Sequence, residues 1–403
     1  MKQTLKNYKK NIALLLLGKI AFSLSIGWAI INIIYFKKIG INYYDIGMIF
    51  AFETILILLA SIPLAYYSDN YNRKHTILFA SLTTFLSTIF LIIFNNIYGA
   101  IIWAFLSGLS YAATAGPFES MLYENLKSLK RRHFFSDIYS NSHILIILTG
   151  AISAFLYPLL LEKNILFPMY ISAFFGLISL IIFSMLFFKR KIKKNQEKNN
   201  HSIKILNNIY IVLRKIKEMK ILLWIIIFEA VWLSGLWVYE EIIIQPFIES
   251  NYNMADYAII FGLAMILQAI FVKGFTLLTN KINIKYIFIF VLVLSSIFIH
   301  SHIYFKDNLI MITILISLVL SFKNYALILI SDIINKMIKS DFIRNTVFSV
   351  SSTISTIIYA IYIAIIGYSI DKFNVDNTLI FNNYFLVITG LILSISLLKI
   401  YKK

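Results

Sequence analysis

Long apolar runs alternate with short polar, lysine-bearing connections along the whole chain. Twelve runs separate: residues 11–35, 45–67, 76–94, 97–123, 140–161 and 166–188, then 221–244, 255–278, 286–305, 309–332, 346–370 and 379–398. Each is long enough to cross about 30 Å of hydrocarbon as an α-helix. Strands of a transmembrane barrel would need only about 9–11 residues, so the pattern predicts an all-α membrane protein with twelve transmembrane helices. The longest polar stretch, 189–219, divides the chain into two six-helix halves, 1–188 and 220–403. Its first part, Lys189 to His201, is rich in lysine. Its second part carries Leu206, Ile209, Leu213 and Ile216 at helical spacing among Lys204, Asn207, Arg214 and Lys217. That pattern predicts a basic cytoplasmic linker with an amphipathic helix on the inner membrane face.

Composition removes the soluble alternatives. The 403 residues are 60% hydrophobic and only 14% charged, against about 45–50% and about 25% in soluble domains. The excess charge, +18 from 37 Lys+Arg and 19 Asp+Glu, would suggest nucleic acid in a soluble protein. Here its distribution explains it. With the N-terminus inside, 29 of the 37 basic residues fall on inner segments, five on outer ones and three within spans. This asymmetry follows the positive-inside rule. It predicts cytoplasmic termini, basic loops facing anionic lipid headgroups, and no nucleic-acid partner. The basic start from Lys2 to Lys10 precedes Leu14–Leu17 without a small-residue cleavage site, so it reads as an uncleaved first span. Cys is absent, which excludes disulfides, thiolate metal sites and Cys nucleophiles. The excess of Lys over Arg, with abundant Ile, Asn and Tyr, matches an AT-rich bacterial genome and hence a bacterial cell membrane.

Charges inside the apolar runs carry the candidate chemistry. A charge at mid-bilayer costs about 2.5–3.5 kcal/mol even on the lenient insertion scale, so it should face a cavity or a partner. Spans 1, 2, 4, 7, 8 and 10 hold Lys19, Glu53, Glu119, Glu229, Glu240, Glu241, Lys273, Lys323 and Asp332. Glu53, Glu229 and Lys323 lie near mid-span. Glu119, Lys273 and Asp332 lie nearer the inner ends, where they can snorkel. Glu240 and Glu241 lie near the outer end of span seven, where water can reach them. Eleven residues separate Glu229 from Glu240, which on a regular helix returns them to within about 20° of one face, with Trp237 about 80° from Glu229. Two readings compete. Either Glu229 or Glu53 is a protonatable carboxyl that alternates between proton and substrate, or Lys19 and Lys323 bind an anionic group while the acids balance them. Structural pairing, for instance Lys19 with Glu53, is the plainer alternative. Trp28, Trp232 and Trp237 are candidates for an aromatic lining.

The loop after span two is more specific. It reads Ala65-Tyr66-Tyr67-Ser68-Asp69-Asn70-Tyr71-Asn72-Arg73-Lys74. It resembles the signature loop of the major facilitator superfamily, Gly-x-x-x-Asp-Arg/Lys-x-Gly-Arg-Arg/Lys, at the same position. Asp69, Arg73 and Lys74 match. Ala65 and Asn72 replace the two glycines, and Asn70 replaces the basic residue. Gly116-Pro117-Phe118-Glu119 running to Leu122-Tyr123-Glu124 and Lys127 resembles the end of helix four in bacterial members. Trp237-Val238-Tyr239-Glu240-Glu241 running to Gln245-Pro246-Phe247 resembles the end of helix seven. The Gly-Pro motif typical of helix five in drug antiporters is missing between Gly150 and Pro158.

The resemblance implies two six-helix halves that rock about a midplane site, with Asp69, Arg73 and Lys74 acting as a cytoplasmic gate. It also implies outer supporting helices 3, 6, 9 and 12, and those four spans hold no Asp, Glu, Lys or Arg in their interiors. No phosphate-binding loop, metal-ligand spacing or aspartate-rich diphosphate motif occurs, so neither an enzyme nor a cofactor is expected. The expectation is a monomeric secondary transporter of a small molecule, with protons as coupling ion. Its first form is efflux of an amphiphilic or cationic compound. The alternative is an uptake symporter for a metabolite, including an anionic one. A membrane enzyme or lipid flippase is the more distant alternative.

Overall fold

The computed structural model describes residues 2–114, 116–187, 219–278, 283–338 and 341–401. Among them the regular structure is helical and no strand occurs. Eleven helices are long and apolar enough to cross a membrane. In the first half these are α1 (Asn7–Lys38), α2 (Tyr43–Ser68), α3 (Arg73–Ile93), α4 (Ile97–Ser128), α5 (Arg132–Lys163) and α6 (Phe167–Ser184). In the second they are α7 (Lys220–Asn251) and α8 (Met254–Leu277), then α10 (Leu309–Met337), α11 (Val347–Phe373) and α12 (Val375–Ile400). Between α8 and α10 lies a shorter apolar helix, α9 (Lys285–Ser301). The amphipathic helix expected within 189–219 lies outside the described residues.

Asparagine marks helix starts. The side chains of Asn42, Asn72, Asn283 and Asn308 accept from the backbone N–H of Asp45, Lys74, Lys285 and Met311, at 2.7–3.2 Å. Each satisfies one orphan donor of a first turn. Asn72 therefore stands in extended backbone, with φ −161°, as a helix cap; the left-handed turn that a glycine there would suit does not form. Three helices are broken within their spans. A tight turn over Gly27–Ile31 interrupts α1. In α4, Gly116 takes φ +91° and Pro117 opens the next segment, a conformation that suits glycine. In α7 two turns, Phe228–Leu233 and Tyr239–Ile243, widen to π-helix.

The chain forms two compact units: Met1–Lys193 with Tyr252–Gly262, and Lys194–Asn251 with Leu263–Lys403. The start of α8 thus belongs to the first unit, where the Tyr257 hydroxyl donates to Ile30 O at 2.6 Å. Four pairings recur in both units at an offset of six helices. Helices α1 and α6, α3 and α6, α3 and α4, and α1 and α5 pack together in the first. Helices α7 and α12, α9 and α12, α9 and α10, and α7 and α11 pack together in the second.

In lipid, apolar side chains gain little from burial against one another, so small and hydroxylated residues make the seams. Ser81 bonds Ser179 between α3 and α6. Thr84 bonds Ser110 between α3 and α4 at 2.6 Å. Ser23 bonds Thr149 between α1 and α5 at 2.7 Å. At one end of the first unit, the Asn11 side chain donates to Asn125 Oδ1 at 3.1 Å and to Phe187 O at 2.7 Å, and it accepts from Phe187 N at 2.8 Å. This ties α1, α4 and the end of α6 together.

The tightest approach that bears on the candidate site is at Gly108 of α4. A Cβ there would stand 3.0 Å from Glu53 O and 3.1 Å from Leu56 Cβ of α2. Gly108→Val is expected to destabilise the protein by about 1–3 kcal/mol through overpacking, read as a lower melting temperature in detergent. Gly274→Ala, where an added Cβ meets nothing within 4 Å, should leave it unchanged or raise it.

Candidate functional site

In the second unit, Lys323 is the most buried of the candidate cations, with its side chain 3% exposed. Its ammonium forms an ion pair with Glu240 Oε2 and stands 3.6 Å from the centre of the Trp237 ring. One carboxylate and one aromatic face thus replace the water that the ammonium loses. Glu240 therefore pairs within the protein, although its position near a helix end suggested simple hydration. Trp237 belongs with Lys323 and Glu240 rather than with Glu229.

Glu229 is half-buried and lies in the first wide turn of α7. Ser351 of α11 donates its hydroxyl to Glu229 Oε2. Among the described residues no cation lies within ion-pair distance of it. Glu229 and Glu240 therefore reach different helices, α11 and α10. The regular-helix wheel that set them on one face did not allow for the wide turns. Each takes up about one residue more than an α-turn and rotates the register beyond it. Glu241, in the second wide turn, is partly buried.

A fully buried pair lies beside these charges. His302 Nδ1 stands 2.7 Å from Phe298 O. A carbonyl only accepts, so Nδ1 carries the proton and Nε2 accepts from the Tyr239 hydroxyl at 2.8 Å. This locks the second wide turn of α7 to the segment just beyond α9.

In the first unit, Glu53 of α2 is 7% exposed, and the Ser107 hydroxyl of α4 donates to its Oε1 at 2.5 Å. Lys19 of α1 lies 4.0 Å from Glu119 Oε1 of α4 and 4.1 Å from the centre of the Phe118 ring. The pairing of Lys19 with Glu53 is thus not formed; Lys19 turns to the acid on the broken helix α4. Of the loop motif, Arg73 pairs with Glu124 at 2.8 Å, and Lys74 Nζ donates to Ser184 O at 2.7 Å. Both partners belong to the same unit as the loop. The Asp69 side chain lies outside the described residues.

The remaining candidates are peripheral or packed. Asp332 pairs with Lys336 one turn away at 2.6 Å on an exposed face, and Lys273 is exposed. Trp28 is 3% exposed and meets Phe36 and Trp103 edge to face at 5.9 and 5.3 Å. Trp232 is fully buried and stacks on Phe228 at 5.0 Å. Both are packed in cores, and Trp28 also lines a small cavity with Thr84, Trp103 and Ser107. Sequence reasoning missed Ser107, Glu124, Ser351 and the Tyr239–His302 pair. A signal existed for Ser351, since Ser349, Ser351, Ser352, Thr353 and Ser355 interrupt an otherwise apolar run.

Broken and widened membrane helices that present charged residues are the hallmark of secondary transporters. A family model described as Major Facilitator Superfamily matches residues 15–361, and the chain belongs to that family. It is a transporter rather than an enzyme. Among solved structures, a mutant form of the nucleoside transporter NupG superposes with a TM-score of 0.79 at 14% identity, covering 97% of this chain and 100% of its own. The POT family transporter PepTSo superposes at 0.73 and 11% identity, covering 98% of each chain. A D-xylose-proton symporter superposes at 0.70 and 10% identity, covering 95% of this chain and 96% of its own. A comparison with curated protein sequences finds no match.

The Lys323–Glu240 pair makes a sharp stability test. Glu240→Gln alone strands a buried ammonium and is expected to cost about 3–5 kcal/mol. Lys323→Met combined with Glu240→Gln should recover most of that loss. Thermal melting of the purified variants reads both, and a double variant no better than the single would show that the charges do not depend on each other.

Proposed function

We propose that this protein is a proton-driven secondary transporter of a small molecule, working by alternating access, with Glu229 as the proton site. The observation that carries this reading is the state of Glu229. It is a half-buried carboxyl held by a serine hydroxyl, with no cation within reach among the described residues. Such a group is cheapest in hydrocarbon when it holds a proton, and it can release that proton when a cation or water arrives. Glu53, held by Ser107, is the corresponding acid of the first half.

Lys323, Glu240 and Trp237 form the substrate-responsive cluster. A cationic substrate competes with Lys323 for Glu240, and an anionic one competes with Glu240 for Lys323. Glu229, with no cation within ion-pair distance among the described residues, favours the first case, and with it export of an amphiphilic or cationic compound. Uptake of a polar metabolite with protons is the second reading. It is favoured by the likeness to a nucleoside transporter and to a D-xylose-proton symporter.

In this reading α9 is the twelfth span, both termini are cytoplasmic, and 189–219 joins halves 1–188 and 220–403 in a bacterial cell membrane. Asp69, Arg73 and Lys74 form the cytoplasmic gate, with Glu124 holding Arg73 in place. The carrier works as a monomer.

Ethidium efflux from cells that express the protein, with and without an uncoupler, tests the proposal. Efflux should collapse with the uncoupler and fall to the vector background in Glu229→Gln, with the variant still present in the membrane. If Glu229→Gln exports as well as the parent, Glu229 is not the proton site. If ethidium is not exported but an imposed acid-outside gradient drives nucleoside or pentose uptake, the second reading holds.

A further inference from the structure

The two units differ at one equivalent seam. In the first, α3 and α6 close on each other. Ser81 bonds Ser179, and a Cβ on Gly176 would meet Phe85 Cα at 3.3 Å. In the second, the equivalent helices α9 and α12 pack together yet leave an open slot of about 450 Å³ between them. That volume is within the roughly 300–1,000 Å³ of small-molecule sites. Leu292, Ile297 and His300 line it from α9, and Asn383, Leu391 and Ser394 from α12. From Asn383 to Ser394 it runs about 16 Å along the helix, at about 1.5 Å per residue. It is a slot rather than a sphere. Ile297, Tyr384 and Leu391 at its mouth are half or more exposed, so the slot opens on the outer, apolar surface of two membrane helices.

Its walls carry polar atoms that no described residue satisfies. Asn383 is 4% exposed and Ser394 9% exposed. Asn383 Oδ1, Ser394 Oγ and His300 Nδ1 are buried atoms without a hydrogen-bond partner among the described residues. Most other hydroxyls in these helices bond a carbonyl three or four residues back, as Ser296 does to Leu292 O at 3.1 Å. Ser394 does not. Behind the slot, the indole Nε1 of Trp232 is also without a partner and stands 3.6 Å from where a Gly390 Cβ would be. Four unsatisfied atoms around one apolar slot are costly in lipid, where no water supplies the missing bonds. A ligand that brings those bonds removes the cost.

We propose that the slot between α9 and α12 binds a single-chain amphiphile of the bilayer, with a hydroxyl or amino donor beside its aliphatic body. The donor serves Asn383 Oδ1, which can only accept. The chain fills the apolar length toward Leu391 and Leu292. The source is the membrane, because the mouth opens onto it.

The test uses the full-length protein in phosphatidylcholine bilayers with a diazirine analogue of hexadecanol, the labelled peptides being mapped by mass spectrometry. Labelling should be saturable, concentrated on residues 292–301 and 383–394, absent from the α3–α6 seam, and displaced by hexadecanol but not by hexadecane. Asn383→Leu removes the acceptor and should weaken binding roughly tenfold. It also removes an unsatisfied buried atom, so folding is not at risk; an unchanged melting temperature would verify this. Gly390→Phe fills the slot and should abolish saturable labelling. Labelling spread evenly over the lipid-facing helices, equal displacement by hexadecane, unchanged affinity in Asn383→Leu, or displacement by ethidium in place of hexadecanol would each overturn the proposal.

Discussion

A charge taken into hydrocarbon must bring its own solvent, and the arrangement of this protein's membrane helices follows from that requirement. Lys323 meets it most fully. Glu240 supplies the counter-charge and Trp237 supplies a ring face. Both lie on α7, within one turn of each other, so one helix solvates the cation of another. Glu53 and Glu229 meet the requirement differently, through serine hydroxyls on α4 and α11. Each bond crosses between helices and fixes which faces meet. The hydroxyl seams between α3, α4 and α6 extend the same logic to the uncharged parts of the fold.

The repeat of helix pairings at an offset of six shows what is shared between the halves and what is particular to each. Four pairings are shared, yet the first half closes its α3–α6 seam with a serine pair, while the second leaves a slot at α9–α12. The widened turns of α7 are likewise not matched in α1, whose break at Gly27–Ile31 is a tight turn instead. The halves are therefore variants of one packing plan, with the chemistry unevenly distributed between them.

Much of the plan was legible from residue order. Apolar length gives the eleven helices long enough to cross a membrane, and a loop of ten residues carries the family resemblance. The partners of the charges were not. Lys19 lies within reach of several acids by depth alone, and only the break at Gly116 brings Glu119 to it and leaves Glu53 to Ser107. The relation of Glu229 to Glu240 was misread for a similar reason. A helical wheel assumes constant turns, and nothing in the residues Phe228–Leu233 announces a wider one. Serine partners were hidden by their ordinariness, because most serines in such helices bond only their own backbone.

The Lys323–Glu240 pair has an electrical consequence. Moving one elementary charge through 100 mV is worth about 2.3 kcal/mol. An ammonium and a carboxylate that travel together sum to zero, so the membrane voltage does no work on them. The field then acts on charges without such a companion, of which Glu229 is the clearest. When its carboxyl is neutral, Glu229 adds nothing to the voltage response of this half; when it is ionised, the field acts on it directly. In this protein the salt bridge is therefore insulation as well as glue: it holds two membrane charges together without adding to the electrical sensitivity of the second half.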